Sequence, residues 1–540
     1  MSIMINNKTK ISIMSDFVNN DMMERILLIT KPEQSGKTFM MINMINDFIK
    51  KDENTEHSTI NFIFCDNSLL LTQQTTKRVK KDVNNLPGTK ENYIEFSSSK
   101  KAGAGNADSV IVKVHWENYR NITCCTNGKR LADLSYILDR IGNIPGTEQK
   151  YHFNIWLDEA DKFVKHISKT FEPILKKHYN VTLYCLTATP QPLFNKYSEL
   201  SVIPIENTTI PDYHGWNDNN IIIRKCSGCT STFAYEIADE IEGESGFTPG
   251  KKGYVPADTN KRSHRHIRDI FLAKNVAVYV VNGDGIELSM PDGTRILVPK
   301  TKTLEQHLKE LYVEYDIKKW SGIVTGNICV GRGLSIMQKD FFLDFAILSN
   351  TRKKTEVSQN AGRLKGNFKG WSNYKIPTIY TTKKFDKIAK DYEEMSRNIA
   401  KLAWEKNSKS PTKISKADIK NKINDKDWEL YTQEFDTLDD ANNFLKKHGA
   451  RQKKSFKYDE SGSFKLSSTT KQLSILDYEE TIAEIKGWGK KSLFDIRKNN
   501  DKPNGTMIVC YKDTANAESA VYIVRVLKKK PKKKKLKLKI

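Results

Sequence analysis

Cysteine is scarce, with eight in 540 residues. That excludes a small secreted scaffold stapled by disulfides and points to a reducing, intracellular setting. Long hydrophobic runs are lacking as well. Val276–Val281 is among the longest, well short of the ~18 residues of a membrane span, so no membrane partner is expected. Met1–Phe17 has no continuous apolar stretch of the kind a secretory signal needs, and the protein is expected not to be secreted. Acidic residues are outnumbered: 65 Asp+Glu against 88 Lys+Arg, a net charge of +23. Such an excess suits a polyanionic partner, although a Lys- and Asn-rich chain from an AT-rich genome would carry it too. Nine lysines and no acid lie in Lys528–Lys539; without them the chain still carries +14. This run is too like-charged to pack and is expected to be disordered.

What is present is enough for a large folded protein. Hydrophobic residues make up 38% and charged residues 28%, which argues against wholesale disorder. At ~150 residues per domain, the length allows about three or four domains. In the first 205 residues, β-rich apolar runs at Arg25–Thr30, Asn61–Cys65, Ser109–Val114, Phe153–Leu157 and Val181–Leu186 alternate with helical stretches such as Met40–Lys50. This alternation predicts an α/β domain with a doubly wound parallel sheet. Residues 200–220, with Pro204, Pro211 and Gly215, read as a linker. A second α/β domain is expected over 215–395, with strands at Lys252–Pro256, Val276–Val281, Gly322–Thr325, Phe345–Leu348 and Pro377–Tyr380. Helices are expected at His266–Lys274 and Leu304–Val313, and a hairpin turns at Pro291-Asp292-Gly293. A small α+β region follows over 396–527. In it Asp436–Gly449 reads as a capped helix, and Met507–Tyr511 and Val521–Leu527 read as strands.

Thr30–Thr38 reads T-K-P-E-Q-S-G-K-T between an apolar strand and a helix. Phosphates need that placement, because backbone N–H groups and a helix N-terminus then meet the anion. Ser35, Gly36, Lys37 and Thr38 are the expected nucleotide-binding residues: Lys37 reaches the β and γ phosphates, and the Thr38 hydroxyl binds Mg²⁺. Lys31 stands where the phosphate-loop pattern has its first glycine. Ile155–Asp161 reads I-W-L-D-E-A-D, an apolar strand delivering adjacent acids at its end. Asp158 is expected to hold the Mg²⁺ shell, and Glu159 to polarise an attacking water. Leu186–Pro190 reads L-T-A-T-P at the end of another strand.

The order G-K-T, D-E-A-D, T-A-T resembles the first RecA-like domain of superfamily 2 helicases. The second half continues the resemblance. Gly253–Pro256 is similar to the start of motif IV, Gly331–Ile336 (G-R-G-L-S-I) to motif V, and Gln359–Gly366 (Q-N-A-G-R-L-K-G) to motif VI. Cys65–Gln74 and Ile122–Asn127 resemble motifs Ia and Ic. The loop itself is also similar to helicases of large nucleocytoplasmic DNA viruses. The resemblance implies two tandem RecA-like domains with ATP and Mg²⁺ between them, Glu159, Gln359 and Arg363 as catalytic residues, and DNA or RNA across both domains. It implies an ATP-dependent helicase; a double-strand translocase and a catalytically weak nucleic-acid-binding protein are the alternatives. A monomer, or membership of a larger nucleoprotein complex, is expected, in the nucleus, a cytoplasmic viral factory or the virion.

Despite its letters D-E-A-D the chain is not a good match to the DEAD-box family, because no glutamine precedes Gln34 to read adenine upstream of the loop and that family's typical motif Ia is absent. The sequence also departs from the wider pattern: Lys31 replaces a glycine, and Gly366 stands where motif VI has its second arginine. Arg332, Lys365 or Lys369 could supply that second cation. Cys226 and Cys229 form a single C-x-x-C, short of the four ligands of a structural zinc site and more simply read as reduced thiols. Pro531–Lys537 resembles a nuclear-localisation signal and could equally be a phosphate-binding tail.

Overall fold

The computed structural model describes residues 21–53, 55, 58–65, 69–83, 93–97, 105–142, 151–226, 228–282, 285–298, 304–327, 336–339, 341–350, 353–419, 428–450, 458, 475–488 and 504–529. Gly331–Ser335 of the motif V-like stretch, with Arg332, and the lysine run beyond Lys529 lie outside these residues. Lys528 and Lys529, expected to belong to a disordered run, instead end a strand, paired with Glu429 and Trp428. The chain forms two compact units, Met1–Ile414 and Ser415–Ile540.

Strands β1 (Ile26–Thr30), β2 (Ser58–Cys65), β3 (Tyr93–Phe96), β4 (Asn121–Cys125), β5 (Tyr151–Asp158), β6 (Val181–Thr187) and β7 (Glu199–Val202) build the first sheet. Its order is β7-β1-β6-β5-β2-β4-β3, and each pair is parallel. β1, β4 and β6 are buried at every residue, as a sheet covered by helices on both faces requires. Because β6 lies between β1 and β5 in register, Thr30 pairs with Thr187 and Asp158 with Leu186. Three motif-bearing strand ends therefore reach one edge of the sheet, where open α/β sheets bind ligands.

The second sheet contains β9 (Asn220–Ile223), β10 (Lys252–Pro256), β11 (Val276–Val281), β12 (Ile286–Ser289), β13 (Arg295–Val298), β14 (Ser321–Gly326), β15 (Phe345–Leu348) and β17 (Thr378–Thr381). Six strands are parallel in the order β11-β14-β10-β15-β17-β9; β12 and β13 extend the β11 edge as an antiparallel hairpin. Gly293 makes that hairpin's turn at φ +89°, a conformation open to glycine. The two tandem doubly wound parallel sheets are the RecA-like fold class expected from the motifs. A short ribbon, β8 (Tyr213–His214) with β16 (Gly366–Asn367), lies outside both sheets.

The helix Lys383–Lys406 ties the two halves together. Phe385, Ile388, Ala389 and Tyr392 lie in the core of the second sheet, while Ala400 lies in the core of the first. Residue 396, where the third region was expected to begin, falls inside this helix: Ser396 Oγ is 3.0 Å from Thr30 Oγ1. Beyond it, β18 (Thr412–Ser415) joins the first sheet beside β7.

Two further sequence expectations are corrected. Ser109–Val114 is not a strand but part of the helix Ala107–Trp116. Asn106 caps it by accepting from Ser109 N at 2.9 Å, and Ala107, Val110 and Val114 make a buried stripe of helical spacing. The run V-I-V-K-V mimics strand alternation, but tertiary burial selects the 3.6-residue period. Residues 200–220 are not a loose linker either. Leu200, Val202, Ile203, Ile205, Tyr213 and Trp216 are all buried, so the prolines turn a chain packed along its length.

In the second unit, β19 (Trp428–Phe435), β20 (Asn504–Tyr511) and β21 (Ala520–Lys529) form an antiparallel sheet in the order β19-β21-β20. The helix Leu438–Lys447, capped by Thr437, buries Ala441 and Leu445 against Met507, Val509, Val524 and Val526. The helix Tyr478–Trp488 packs Ile485 with Cys510, Val521 and Ile523 on the other face. The alternation of strand side chains separates these two sets.

Candidate nucleotide-binding site

β1 leads into the loop Lys31–Gly36. Gln34 has φ +58° and Gly36 has φ +90°, and the helix Lys37–Asp52 starts directly after Gly36. A side chain at Gly36 would be strained in that left-handed conformation, so the second glycine of the pattern is needed for backbone reasons. Ser35 does not line the cleft. It is buried and donates its hydroxyl to Pro32 O at 2.7 Å, closing the turn. Lys37 Nζ donates to Pro32 O at 3.4 Å. Lys31 takes no left-handed turn in place of the missing glycine. Its ammonium is pushed down to about 8, mainly by burial and then by the nearby Lys37 charge.

A cleft of about 310 Å³ opens above the helix N-terminus, lined by Gly36, Lys37, Thr38, Asp158, Glu159, Gln359 and Arg363. Seven of the eight site residues expected from sequence thus meet in one place. β5 delivers Asp158, whose carboxyl is raised to about 6 by burial and by Glu159, against the opposing pull of Lys37 and Arg78. Glu159 has φ +59°, a left-handed conformation that costs a non-glycine residue ~1–3 kcal/mol and concentrates at functional positions. Gln359, on the helix Lys354–Ala361, donates Nε2 to Glu159 Oε2 at 3.1 Å. Arg363 is buried in the following turn Gly362–Leu364. The remaining acid of the D-E-A-D quartet, Asp161, accepts from Thr187 Oγ1 at 3.0 Å, and Thr187 also receives Thr189 N at 2.9 Å. This bonding makes the T-A-T turn the support of the acidic strand end.

Sequence reasoning missed Gln74, Thr75, Arg78 and Asp82, on the helix Leu69–Asp82, and Glu33, Gln34 and Asn367, all of which line the cleft. Arg78 Nη1 lies 3.4 Å from Thr38 Oγ1. The signal available was the T-Q-Q-T-T-K-R run at helical spacing. The Ia-like stretch therefore reaches this cleft through Gln74. The Ic-like turn packs instead: Thr126 donates to Cys65 O at 2.8 Å, and Asn127 caps the next helix through Arg130 N. Gly253 of the motif IV-like strand leaves room for the Phe345 ring, which a Cβ would meet at 2.3 Å.

Neither of the lysines expected to supply a second cation beside Arg363 lines the cleft. Lys365 is buried and bonded to Glu33 at 2.5 Å and to Glu393 at 3.3 Å, while Lys369 pairs with Asp218 at 2.9 Å. Burial works against the Lys365 ammonium, but Glu33 and Glu393 outweigh it and hold its pKa above the ordinary lysine value. Among the described residues no group of three or more His, Cys, Asp or Glu side chains could hold a metal. Cys226 and Cys229 are exposed free thiols. No helix among the described residues is long and apolar enough to cross a membrane.

No family model matches the chain, and no curated protein matches it in sequence. Among solved structures it is similar to Mss116p lacking its NTE and C-tail, bound to ssRNA and AMP-PNP: 12% identity over 69% of each chain, TM-score 0.41. The DEAD-box helicase Mss116 bound to ssRNA and UDP-BeF shows 14% identity over 79% of this chain and 77% of that one, TM-score 0.40. T. fusca Cas3 with AMPPNP shows 12% identity over 72% of this chain and 48% of that one, TM-score 0.37. At such values the fold rests on its own topology, and the function on the site.

Proposed function

We propose that the chain is an ATP-dependent nucleic-acid helicase, with lobes at 1–205 and 215–395, an accessory region over the part of 396–527 that lies beyond the bridging helix Lys383–Lys406, and a basic tail beyond Lys529. The observation that carries this reading is the Gln359–Glu159 hydrogen bond at 3.1 Å. It joins an acid at the first sheet's edge to a glutamine of the second, over a loop whose helix begins Lys37-Thr38. An ATP triphosphate suits the cleft, because Gly36, Lys37 and Thr38 line it at the start of a helix, where free backbone N–H groups would donate to phosphate oxygens and Lys37 would neutralise their charge. Mg²⁺ fits the oxygen donors Thr38 and Asp158, hard ligands suited to a hard cation, and when bound would offset charge on the phosphate oxygens.

Hydrolysis then depends on this chain's residues in fixed roles. Glu159 orients and polarises the water that attacks the γ-phosphorus, and Gln359 holds the Glu159 carboxylate. Arg363 faces the charge that spreads over the equatorial oxygens as the bond to the β-phosphate breaks. Because these groups come from two lobes, turnover requires the lobes to stay together, and their opening and closing can move a bound strand. The +23 net charge supplies a sequence-tolerant attraction to DNA or RNA. The likeness of the loop to viral helicases, and a nuclear or viral-factory location, are part of the same proposal. An ATPase titration with single-stranded DNA, single-stranded RNA and duplex DNA tests it. Turnover stimulated by nucleic acid and abolished by Lys37→Ala supports the reading; nucleic-acid-independent or absent turnover overturns it.

A further inference from the structure

The phosphate loop carries an acid, Glu33, where a polyphosphate would be repelled by it. Its carboxylate is buried and committed to the second lobe. Ser358 Oγ donates to Oε1, and Lys365 Nζ lies 2.5 Å from Oε2. The Glu33 carbonyl accepts from Tyr213 OH at 3.0 Å. Gly362 lies against the same side chain, so closely that a Cβ there would meet Glu33 Cβ at 2.8 Å. Lys365 is held from behind by Glu393 at 3.3 Å, which in turn accepts Trp216 N at 2.9 Å and Arg397 Nη2 at 2.7 Å. Arg363 lies within the segment that these contacts fix, between Gly362 and Lys365.

We propose that Glu33 is a positioning residue for hydrolysis: its buried bonds to Ser358 and Lys365 dock the Gly362–Lys365 turn onto the phosphate loop and thereby aim Arg363 into the cleft. The inference rests on the proposed ATPase reading. In this role the Glu33 charge is neutralised by Lys365 and not turned toward the phosphates. The position that motif VI fills with a second arginine is instead the glycine that follows the docking lysine. Gly366, at φ +148°, lets the chain turn away beside Gln34, whose Cβ lies 3.3 Å from where a Gly366 Cβ would be. Lys365 thus gives up contact with phosphate for contact with the loop that holds it.

The test uses the full chain with saturating ATP and nucleic acid. Glu33→Gln is expected to lower kcat by about 10²-fold, the order lost when a reacting group is misplaced by ~1 Å. The Kd of a fluorescent ATP analogue should stay within about threefold, because Glu33 does not hold nucleotide in this scheme. Lys365→Arg should retain more turnover than Lys365→Met. The deciding comparison is in the Arg363→Ala background, where Glu33→Gln is expected to cause little further loss, since it acts through Arg363. If Glu33→Gln alone does not fold, Glu33→Gln/Lys365→Met, which leaves no unpaired charge between these two positions, carries the same expectations. Glu33 variants within twofold of wild type, or losses that multiply with Arg363→Ala, overturn the inference while Lys37-dependent turnover leaves the ATPase reading intact. A wild type without Lys37-dependent turnover overturns both.

Discussion

Gln359 Nε2 and Glu159 Oε2 lie 3.1 Å apart, one on a helix of the second lobe and the other at the end of β5 in the first. This hydrogen bond fixes the carboxylate that the proposed mechanism uses to orient water, so the two residues should behave as a unit. Lys37→Ala and Glu159→Gln are each expected to remove most ATP turnover. Glu159→Gln should still bind nucleotide, because it keeps the shape and loses only the proton-accepting oxygen. Gln359→Ala is expected to slow turnover by about tenfold or more, within the range seen when a positioned acid–base pair is disturbed. Steady-state phosphate release and nucleotide titration check all three.

Among the described residues, Arg363 is the arginine of the second lobe that lines the cleft, and both nearby lysines are already paired. Arg363→Ala should therefore lower kcat by about 10³-fold or more, as loss of an arginine finger does. Lys369→Ala, which breaks only a partly exposed pair with Asp218, should stay close to wild type. Single-turnover hydrolysis at saturating ATP separates the two outcomes.

Lys31 should make nucleotide binding take up protons. Its ammonium is pushed down to about 8 by burial and by Lys37, and an incoming polyphosphate would favour the charged form. At pH 8 to 9 the free protein carries Lys31 partly neutral, so binding draws a proton from the buffer. Below pH 7 the residue is already charged and no uptake follows. Calorimetric titrations in buffers of different ionisation enthalpy should show the uptake in wild type and its loss in Lys31→Met.

The Glu393 network should leave a mark on acid stability. Burial works against the Glu393 carboxylate, but Lys365, Trp216 N–H and Arg397 outweigh it and hold its pKa below the ordinary value. Its contribution is full above the unfolded value of ~4.3 and is lost as pH falls through the folded one. Glu393→Gln should therefore be destabilised relative to wild type at pH 7, with the gap closing below about pH 4. Urea unfolding across that range measures it.

Much of this architecture is legible in the residues, and the exceptions have physical causes. β1 and β6 are mostly apolar and β5 closes on the apolar stretch Ile155–Leu157, and they end in Thr30, Thr187 and Asp158, so the strands and their chemistry coincide in sequence. Ser109–Val114 misleads because β-branched residues with one lysine imitate alternation, whereas the cap at Asn106 and the stripe Ala107, Val110, Val114 decide for a helix. β3 has four residues and no distinguishing run. Within the site, Lys37, Thr38, Asp158, Glu159, Gln359 and Arg363 follow from motif order. Arg78 and Gln74 do not, because only folding brings the helix Leu69–Asp82 to the cleft. The pairing of Lys365 with Glu33 links positions 332 residues apart, and no local pattern announces it.

A single ATP site assembled from both lobes should answer to nucleic acid. The most direct test is the ATP turnover rate of wild type and Arg363→Ala, each titrated with single-stranded RNA and single-stranded DNA. The prediction is that wild-type turnover rises with at least one of the two strands, while Arg363→Ala binds that strand and ATP with near-normal affinity and stays flat. Equal turnover in the two proteins at saturation would show that hydrolysis does not depend on the second lobe, and the shared ATP site would have to be given up.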